Sequence, residues 1–210
     1  LFPNLGSYKW SSSETTLPAN ETKKEFDKKP VLERFDHQLK ISGLKTFHTL
    51  KPDFSWGCSN IDKLISKYNL SDYILLFPFC SEHLQQKKWP YYDQLIKLIK
   101  QNHPNLKIVI APGPDEIEKA KKLDAVSILK EDKAISISEL AGLIKRSKFV
   151  VANDTGPAHM AAHLNVKGLS LFGSHTTAHK VSIERENFKV IQVSDLKNLS
   201  AEKVFERLVF

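Results

Sequence analysis

The sequence predicts an α/β fold in which a parallel sheet carries helices on both faces. From residue 73 onward, short apolar runs alternate with stretches whose apolar residues recur at helical spacing, which is the pattern of strand–helix–strand units. The strand-like runs are apolar at consecutive positions, as expected of strands that are covered on both faces. The composition agrees, because 41% of the 210 residues are hydrophobic and 26% are charged, which is usual for a globular protein with a packed core.

The predicted elements follow one another regularly from residue 73 to the end of the chain. Strands are predicted over 73–79, 106–111, 125–129, 149–152, 169–172 and 188–193. Helices are predicted over 90–101, 114–123, 136–147, 157–164 and 200–210. Ser136 and Glu139 have capping-box spacing at the start of one helix, and Asn165 is placed to end another. This order indicates a Rossmann-like sheet, in which ligands bind beyond the carboxyl ends of the strands.

The chain before residue 70 lacks this regular alternation. Residues 11–20 are rich in Ser, Thr, Pro and Asn and are expected to form a polar loop. A helix is predicted within residues 21–44, and Gly43 is placed to end it. Its apolar face would consist of Val31, Leu32, Phe35, Leu39 and Ile41. A second short helix is predicted over 60–68.

Charge and composition exclude several classes of protein. The net charge is +7, from 31 Lys and Arg against 24 Asp and Glu. The lysines are scattered rather than set in a stripe with aromatics, so nucleic-acid binding is not indicated; a solvated surface or attraction to an anionic membrane face are the remaining interpretations. No apolar run has the length of a transmembrane helix. Cys58 and Cys80 are too few for a disulfide framework and fit the cytoplasm. Because it begins with Leu1, the chain looks like a piece of a longer protein or a processed product.

The turn between the fourth predicted strand and the next helix has the chemistry of an anion site. Backbone N–H groups at a helix N-terminus point outward and carry partial positive charge, and Gly156 lets a phosphate approach the backbone closely. Thr155 can add a hydroxyl group, and His159 can add a ring N–H one turn into the helix. The alternative is that Asp154 or Thr155 simply caps the helix.

Two motifs resemble those of a known family. The segment D-T-G-P-x-H-x-A-A at 154–162, followed by an apolar strand ending in F-G, resembles the signature of the family 9 glycosyltransferases, which include the lipopolysaccharide heptosyltransferases. The run K-K-W-P at 87–90 resembles the K-x-W-P motif of the same family. The resemblance covers roughly two thirds of the chain, from residue 73 onward. It implies a fold of the GT-B type, with 71–210 as the nucleotide-sugar donor-binding domain and 1–70 as the incomplete tail of an acceptor-binding domain with its connection.

The resemblance also implies an activity. A heptose-type sugar would move from a nucleoside-diphosphate sugar, with ADP as the favoured nucleotide, to a lipopolysaccharide-core or related lipid-linked saccharide acceptor. The reaction would be an inverting direct displacement that uses no metal and no other cofactor. The protein would be cytoplasmic, with peripheral contact at the inner membrane face as an option. The family's catalytic base is an acidic residue of the first domain, in a part that this chain is expected to lack, so no base is assigned.

Five residues inherit roles in the donor site from the resemblance. Lys87 would be a point charge on the diphosphate. The N–H groups of Thr155 and Gly156 would hold phosphate, and His159 would donate to the departing diphosphate. Asp154 would order the turn or meet a hydroxyl of the donor sugar, because a carboxylate in direct contact with phosphate would repel it.

Three further positions follow less specific patterns. Ser81 could donate to a phosphate or sugar hydroxyl, or be an ordinary polar loop residue. Glu116 would accept from the ribose hydroxyls, with Glu118 as the alternative after a one-residue shift and a helix-terminal carboxylate as the plain interpretation. Ile135 matches the position whose backbone contacts the base. One departure stands out: the family follows F-G with Pro-Thr, whereas this chain has S-H-T-T at 174–177, which leaves the donor sugar open.

Two other functions fit part of the pattern. His159 and His163 are four residues apart, as are His175 and His179, and with Asp154 they could suggest the metal site of a hydrolase. The H-E-x-x-H motif of many such enzymes is absent. The second alternative is a nucleotide-binding module without catalysis of its own. A dinucleotide oxidoreductase is disfavoured, because no G-x-G-x-x-G follows the first strand.

Overall fold

The computed structural model describes residues 17–209, and the chain divides into two compact units. The first contains the described residues up to Pro52 together with Ala178–Ser182, and the second contains Asp53–Thr177 and the residues from Ile183 onward. Most of the predicted polar loop lies outside the described residues. None of the helices described within residues 17–209 is long and apolar enough to cross a bilayer.

Strands and helices alternate through most of the described chain. The strands are β1 Tyr73–Phe77, β2 Lys107–Ile110, β3 Val126–Ser127, β4 Phe149–Asn153, β5 Gly168–Phe172 and β6 Phe188–Gln192. The helices are α1 Lys23–Phe26, α2 Val31–Ile41, α3 Asp62–Tyr68, α4 Tyr92–Asn102, α5 Ile117–Ala120, α6 Ile137–Arg146, α7 Gly156–His163, α8 Ala178–Val181 and α9 Ala201–Phe205. Short 3-10 turns cover Ser55–Gly57, Glu82–Lys87, Pro114–Glu116 and Leu196–Asn198.

The first unit consists of α1, α2 and α8 with their connecting loops. Phe26 of α1 is buried, and its ring meets the edge of His37 at a centroid distance of 5.4 Å. The predicted helix is broken into two, because Pro30 stands at the start of α2, where a residue without an N–H costs least. Gly43 follows α2 with a φ of 81°, which confirms it as the stop. The predicted apolar face of α2 is not buried, since Phe35 is 51% exposed.

The second unit is built on one six-stranded sheet with the order β3-β2-β1-β4-β5-β6. All neighbouring strands are parallel, and Leu75 of β1 pairs with Val109 of β2 on one side and with Val150 of β4 on the other. The chain therefore reverses its direction of winding between β1 and β4. In such a sheet the loops after these two strands diverge and leave a crevice for a ligand. The predicted parallel α/β sheet is confirmed.

Helices cover both faces of the sheet, as predicted. Alternate strand residues such as Ile74 and Leu76 share a buried cluster with side chains of α4 and α9. On the opposite face α7 packs against β4 and β5, and α6 packs against α7. Because successive strand residues point to opposite faces, every strand position of β1, β4 and β5 is buried. This double burial explains why the sequence shows continuous apolar runs there.

Three elements are shorter than predicted. The helix predicted over 114–123 is a 3-10 turn followed by the four residues of α5, and the Glu116 side chain folds back to accept from the Gly113 N–H at 2.8 Å. The strand predicted over 125–129 contains two residues, because β3 pairs only with the end of β2. The closing helix ends at Phe205, and residue 210 lies outside the described residues.

Residues 53–70 group with the sheet rather than with the preceding unit. The Ser59 N–H donates to the Ser138 carbonyl at 2.9 Å, and the Tyr68 hydroxyl donates to the Leu129 carbonyl at 2.9 Å. These bonds tie α3 and the segment before it to α6 and to the loop that precedes α6. That residues 1–70 are the incomplete tail of an acceptor-binding domain with its connection stays a prediction.

Gly142 tests how closely α6 packs on the segment before α3. A β-carbon at this position would lie 2.5 Å from the Ser59 carbonyl oxygen and 2.9 Å from Cγ2 of Ile61. We expect Gly142→Ala to lower the free energy of unfolding by about 1–3 kcal/mol, since the strain of overpacking outweighs the gain in helix propensity. Denaturant unfolding followed by circular dichroism measures this. An unchanged or higher stability would show that the contact is looser than the structure has it.

Glu139 gives α6 a start whose strength depends on pH. Its carboxylate accepts from Lys130 and from the N–H and hydroxyl of Ser136, and these contacts lower its pKa to about 2. A pKa below that of the unfolded chain means that the stabilisation is complete above about pH 4.5 and is lost as the pH falls toward 2. We expect Glu139→Gln to lower the melting temperature by about 2–4 °C at pH 7.

At pH 3 the difference between the Glu139→Gln variant and the unaltered chain should shrink to less than half of its value at pH 7. Thermal unfolding at both pH values measures it. Glu118→Gln is the matched control, because that side chain is 80% exposed and should change the melting temperature little at either pH. An equal loss for Glu139→Gln at both pH values would contradict the assigned contacts.

Candidate functional site

A cavity of about 500 Å³ opens at the carboxyl ends of the central strands. Its walls come from the segments that follow β1, β2 and β3 and from the first turn of α7. Four of the predicted site residues line it, namely Ser81, Glu116, Ile135 and Thr155. The cavity therefore lies where the topology of the sheet places a ligand, and its size is within the range of small-molecule sites.

One end of the cavity is an apolar slot with free backbone groups. Pro112 and Pro114 line it from the loop after β2, and Ile137 and Leu140 line it from α6. The backbone N–H and C=O of Ile135 have no hydrogen-bond partner among residues 17–209. A flat heterocycle can bury its faces in such a slot and pair its edge with the backbone.

Glu116, the residue predicted to bind the ribose of a nucleoside, lines the same cavity. One carboxylate oxygen accepts from the Gly113 N–H at 2.8 Å, and the second has no partner within the described chain. Glu118, the alternative, is 80% exposed, pairs with Lys121 and does not line the cavity. The structure therefore favours Glu116 for position. Ser81 is exposed in the loop after β1 and lines the same cavity.

The predicted residues Lys87 and His159 join His175 in an ionic cluster around the buried carboxylate of Asp154. The side chain of Asp154 is 3% exposed, and its Oδ2 accepts from Lys87 Nζ at 2.7 Å. His159 Nε2 lies 3.4 Å from Oδ1, and His175 Nε2 lies 3.0 Å from Oδ2. The cluster is named here the Asp154 cluster and comprises these four residues.

The Asp154 cluster keeps its carboxylate ionised. Burial by itself raises the pKa of Asp154, but hydrogen bonds from His159, Lys87 and His175 outweigh burial and hold this pKa well below its usual range. Lys87 and His159 are the two members with partly exposed side chains, at 23% and 32%. An anion that arrives from solvent can therefore meet both of them.

The backbone at Thr155 and Gly156 joins the cavity to the Asp154 cluster. Neither predicted cap forms, because α7 has no side-chain cap and the Thr155 hydroxyl donates instead to the Asn153 carbonyl at 3.3 Å. The N–H groups of Thr155 and Gly156 have no acceptor among residues 17–209. A β-carbon on Gly156 would meet nothing within 4 Å, and the φ of Gly156 lies outside the left-handed region. Neither packing nor backbone conformation thus requires glycine at this position. The remaining reason for a glycine is that it lets a ligand approach the backbone closely.

Asn153, the last residue of β4, is a site residue for which no role is predicted from the sequence. It is fully buried, and its Oδ1 accepts from the Trp89 N–H at 3.1 Å. Trp89 is also fully buried, and its indole N–H donates to the Leu199 carbonyl at 2.7 Å. The tryptophan of the K-x-W-P motif is therefore an anchor that holds the Lys87 loop against the end of β4. Asn153 stands directly before D-T-G, and this position is the sequence signal that could have identified it.

His175 is the second residue that sequence reasoning missed in this role. The sequence marks it only as part of the departure from the family pattern and as one of a histidine pair. In the structure its side chain is 6% exposed and contacts Asp154. The available signal was its position two residues after the end of F-G, because the loops after β4 and β5 leave the sheet at the same edge.

The histidine pairs do not assemble into a metal centre. Among residues 17–209 no group of three or more His, Cys, Asp or Glu side chains is arranged to hold a metal ion. Burial, with the nearby Arg185 and His159, lowers the pKa of His163 to about 4. The Arg185 guanidinium lies 3.2 Å from Nδ1 of His163, so that nitrogen already faces a cation. His175 and His179 belong to different units of the chain.

Comparison with known proteins points to one family. The model of glycosyltransferase family 9 (heptosyltransferase) matches residues 7–208. Lipopolysaccharide heptosyltransferase 1 of Campylobacter coli is 31% identical over 100 residues, which are 43% of this chain and 29% of that protein.

Solved structures agree on the fold. E. coli heptosyltransferase WaaC with ADP has a TM-score of 0.61 at 23% identity, over 83% of this chain and 54% of that one. A glycosyl transferase of family 9 from Veillonella parvula has a TM-score of 0.65 at 16% identity, over 91% of this chain and 61% of that one. These likenesses confirm the α/β fold of the GT-B type. The chain spans less than two thirds of the length of each of these relatives.

Gly156→Ala separates ligand binding from folding. The new methyl group has open space around it in the structure, so the melting temperature should stay the same or rise slightly, by up to about 4 °C, since alanine is the better helix residue. The affinity for ADP should fall at least about tenfold, because the methyl group holds phosphate away from the backbone N–H groups. Calorimetric titration and thermal unfolding of the same preparation measure both quantities.

Gly142→Ala is the contrasting control, since the same change there should destabilise the fold and leave the ADP site intact. Undiminished ADP binding by Gly156→Ala would show that phosphate does not approach this backbone.

Proposed function

The chain belongs to glycosyltransferase family 9, and from that membership we propose that it is the donor-binding part of an enzyme that transfers a heptose-type sugar. The donor is a nucleoside-diphosphate sugar, with ADP as the favoured nucleotide, and the acceptor is a lipopolysaccharide-core or related lipid-linked saccharide. The observation that carries this proposal is the open backbone at Thr155 and Gly156. This backbone lies between the apolar cavity, which suits a nucleoside, and the side chains of Lys87 and His159, which suit a phosphate group.

Each part of the donor has a matching part of the site. The base enters the apolar slot, where its edge pairs with the backbone at Ile135. The ribose hydroxyls donate to the carboxylate oxygen of Glu116 that Gly113 leaves free. The diphosphate lies on the N–H groups of Thr155 and Gly156, and Ser81 is placed in the cavity wall to add a hydroxyl group. These assignments come from the family resemblance, and the position, burial and hydrogen-bonding capacity of the residues support them.

The same groups serve the transfer step. The acceptor oxygen attacks the anomeric carbon as the bond to the diphosphate oxygen breaks, so the anomeric configuration inverts. The hydroxyl proton goes to an acidic residue that the resemblance places in the acceptor-binding domain. The electron pair of the broken bond stays on the diphosphate, whose added charge is stabilised by Lys87, His159 and the two N–H groups. Stabilisation at the site where charge develops is where binding groups contribute most to the rate, and here it needs no metal ion.

The acceptor and the location of the protein are inferred more indirectly. The Campylobacter coli relative is a lipopolysaccharide heptosyltransferase by name, and such an acceptor is held at the inner face of a membrane by its lipid. The net charge of +7 would favour the approach of the protein to an anionic membrane surface. We therefore propose a cytoplasmic protein with peripheral membrane contact.

A second candidate is a nucleotide-binding module without catalysis of its own. The observation that favours it is that the site groups in residues 17–209 are suited to nucleotide binding, whereas none of the described residues is assigned as a catalytic base. Sugar transfer assayed with the complete natural protein separates the two. The described residues offer nothing in favour of the metal-dependent hydrolase.

The proposed donor site predicts a specific loss on removal of Lys87. In calorimetric titrations ADP should bind with saturation in the presence and absence of EDTA. Lys87→Ala should weaken ADP about 10–100-fold, as expected when a charge-assisted phosphate contact is removed. Lys88→Ala is the matched control, because it removes an adjacent exposed lysine and should change the affinity less than about threefold.

The other outcomes of the titration are also informative. Tighter binding of UDP or GDP would keep the glycosyltransferase site and remove the ADP-heptose inference. Loss of binding with EDTA would contradict the metal-free reaction. Equal losses for Lys87→Ala and Lys88→Ala would show that Lys87 acts only through general charge.

A further inference from the structure

His175 lies against the same carboxylate oxygen as Lys87. Its Nε2 is 3.0 Å from Oδ2 of Asp154, and Lys87 Nζ is 2.7 Å from that oxygen. Both contacts are charge-assisted hydrogen bonds, which are stronger than bonds between neutral groups. The buried oxygen therefore has two donors, and it keeps one when the other leaves.

His175 is fixed in its position. Its ring stacks on Phe172 with centroids 5.7 Å apart and an interplanar angle of 16°. The Gln192 side-chain amide donates to the carbonyl oxygens of Gly173 at 2.9 Å and Thr176 at 2.7 Å, which holds the backbone on each side of the histidine. Nδ1 of His175 is buried and has no partner among residues 17–209. The polar function of this ring is therefore its contact with Asp154.

Lys87 is the donor that can move. Its ammonium group is on a flexible four-carbon chain, and its side chain is 23% exposed. It ends the 3-10 segment Glu82–Lys87, which is broken at Leu84 by non-helical backbone angles. A buried carboxylate that loses its last strong partner is strongly destabilising, so Lys87 can leave Asp154 only if another donor stays. His159, at 3.4 Å from the other oxygen, is the more distant contact.

We propose that His175 is a positioning residue that keeps Asp154 hydrogen-bonded while Lys87 turns from this carboxylate to the donor diphosphate. The proposal rests on the proposed donor site, because it requires Lys87 to contact the ligand. His175 acts through Asp154 and does not touch the nucleotide. Without His175, Lys87 stays bound to Asp154 and does not contact the diphosphate.

A stability cycle without ligand tests the compensation directly, because Lys87→Ala imitates the departure of Lys87. His175→Phe keeps the stacking on Phe172 and removes the N–H donor. Each single variant should lower the melting temperature by about 2–4 °C. The double variant should lower it by about 10 °C or more, well beyond the sum, since Asp154 then keeps only His159. Additive losses would overturn the proposal.

Asp154→Asn keeps the cycle informative if His175→Phe fails to fold. A neutral amide needs no compensating donor, so Asp154→Asn should restore folding to His175→Phe and should remove the coupling between positions 87 and 175. If the Asp154→Asn/His175→Phe double variant still fails to fold while Asp154→Asn folds, the loss comes from packing and the proposal is wrong.

Calorimetric titration with ADP tests the effect on Lys87. His175→Phe should lower the affinity for ADP about tenfold. Adding Lys87→Ala to this variant should lower the affinity by less than about a further threefold, because Lys87 is already retained by Asp154. His175→Gln keeps an N–H donor and should remain within about threefold of the unaltered chain. A full additional loss from Lys87→Ala in the His175→Phe background would overturn the proposal, as would a His175→Gln variant as weak as His175→Phe.

The two arms separate this inference from the proposed function. If the unaltered chain binds none of the three nucleotides, the proposed function fails and the role of His175 toward a diphosphate fails with it. The ligand-free cycle still decides whether His175 compensates Asp154, because it needs no nucleotide.

Discussion

The buried charge of Asp154 is the constraint on which the carboxyl edge of the sheet depends. A carboxylate this deep in the protein is tolerated only when several donors reach it. The donors come from three places in the chain: Lys87 from the loop after β1, His159 from α7 and His175 from the loop after β5. One charge therefore gathers the loops of three neighbouring strands around the first turn of α7, and it does so with side chains that can also serve an anion.

Two buried residues, Trp89 and Asn153, hold the Lys87 loop in the position that this contact requires. Trp89 is buried in the cluster to which α4 and α9 contribute, and its indole N–H donates to the Leu199 carbonyl. Movement of the ring would break this hydrogen bond. Asn153 joins the same loop to the end of β4. Lys87 thus extends from a well-packed part of the protein to the buried carboxylate of Asp154. A rigid base with one flexible charged side chain is an effective arrangement for phosphate binding, since little backbone order has to be gained when the ligand arrives.

The sequence allowed most of the sheet to be predicted, and the reason is double burial. The strands β1, β4 and β5 are buried at every position, so their apolar runs could not be confused with loops. The end elements were predicted less well, because β3 pairs through two residues at the sheet edge and α5 follows a 3-10 turn. These lengths depend on neighbours that a local pattern does not contain. The Thr155–Gly156 turn was found because its chemistry is local. The Asp154–His175 contact joins residues 21 positions apart, and no local pattern marks it.

The arrangement divides recognition between two kinds of surface. In the proposed site the apolar slot would bury the faces of a base, but apolar contact discriminates weakly between rings of similar size, so the backbone groups at Ile135 would have to supply the choice of nucleotide. In the proposed site the phosphate end would discriminate by charge, because only a ligand with enough negative charge could compete with Asp154 for Lys87. A neutral or singly charged nucleoside would fill the slot and leave Lys87 where it is. In the proposed site the position of Lys87 would therefore follow the charge of the ligand, and not occupation of the slot alone.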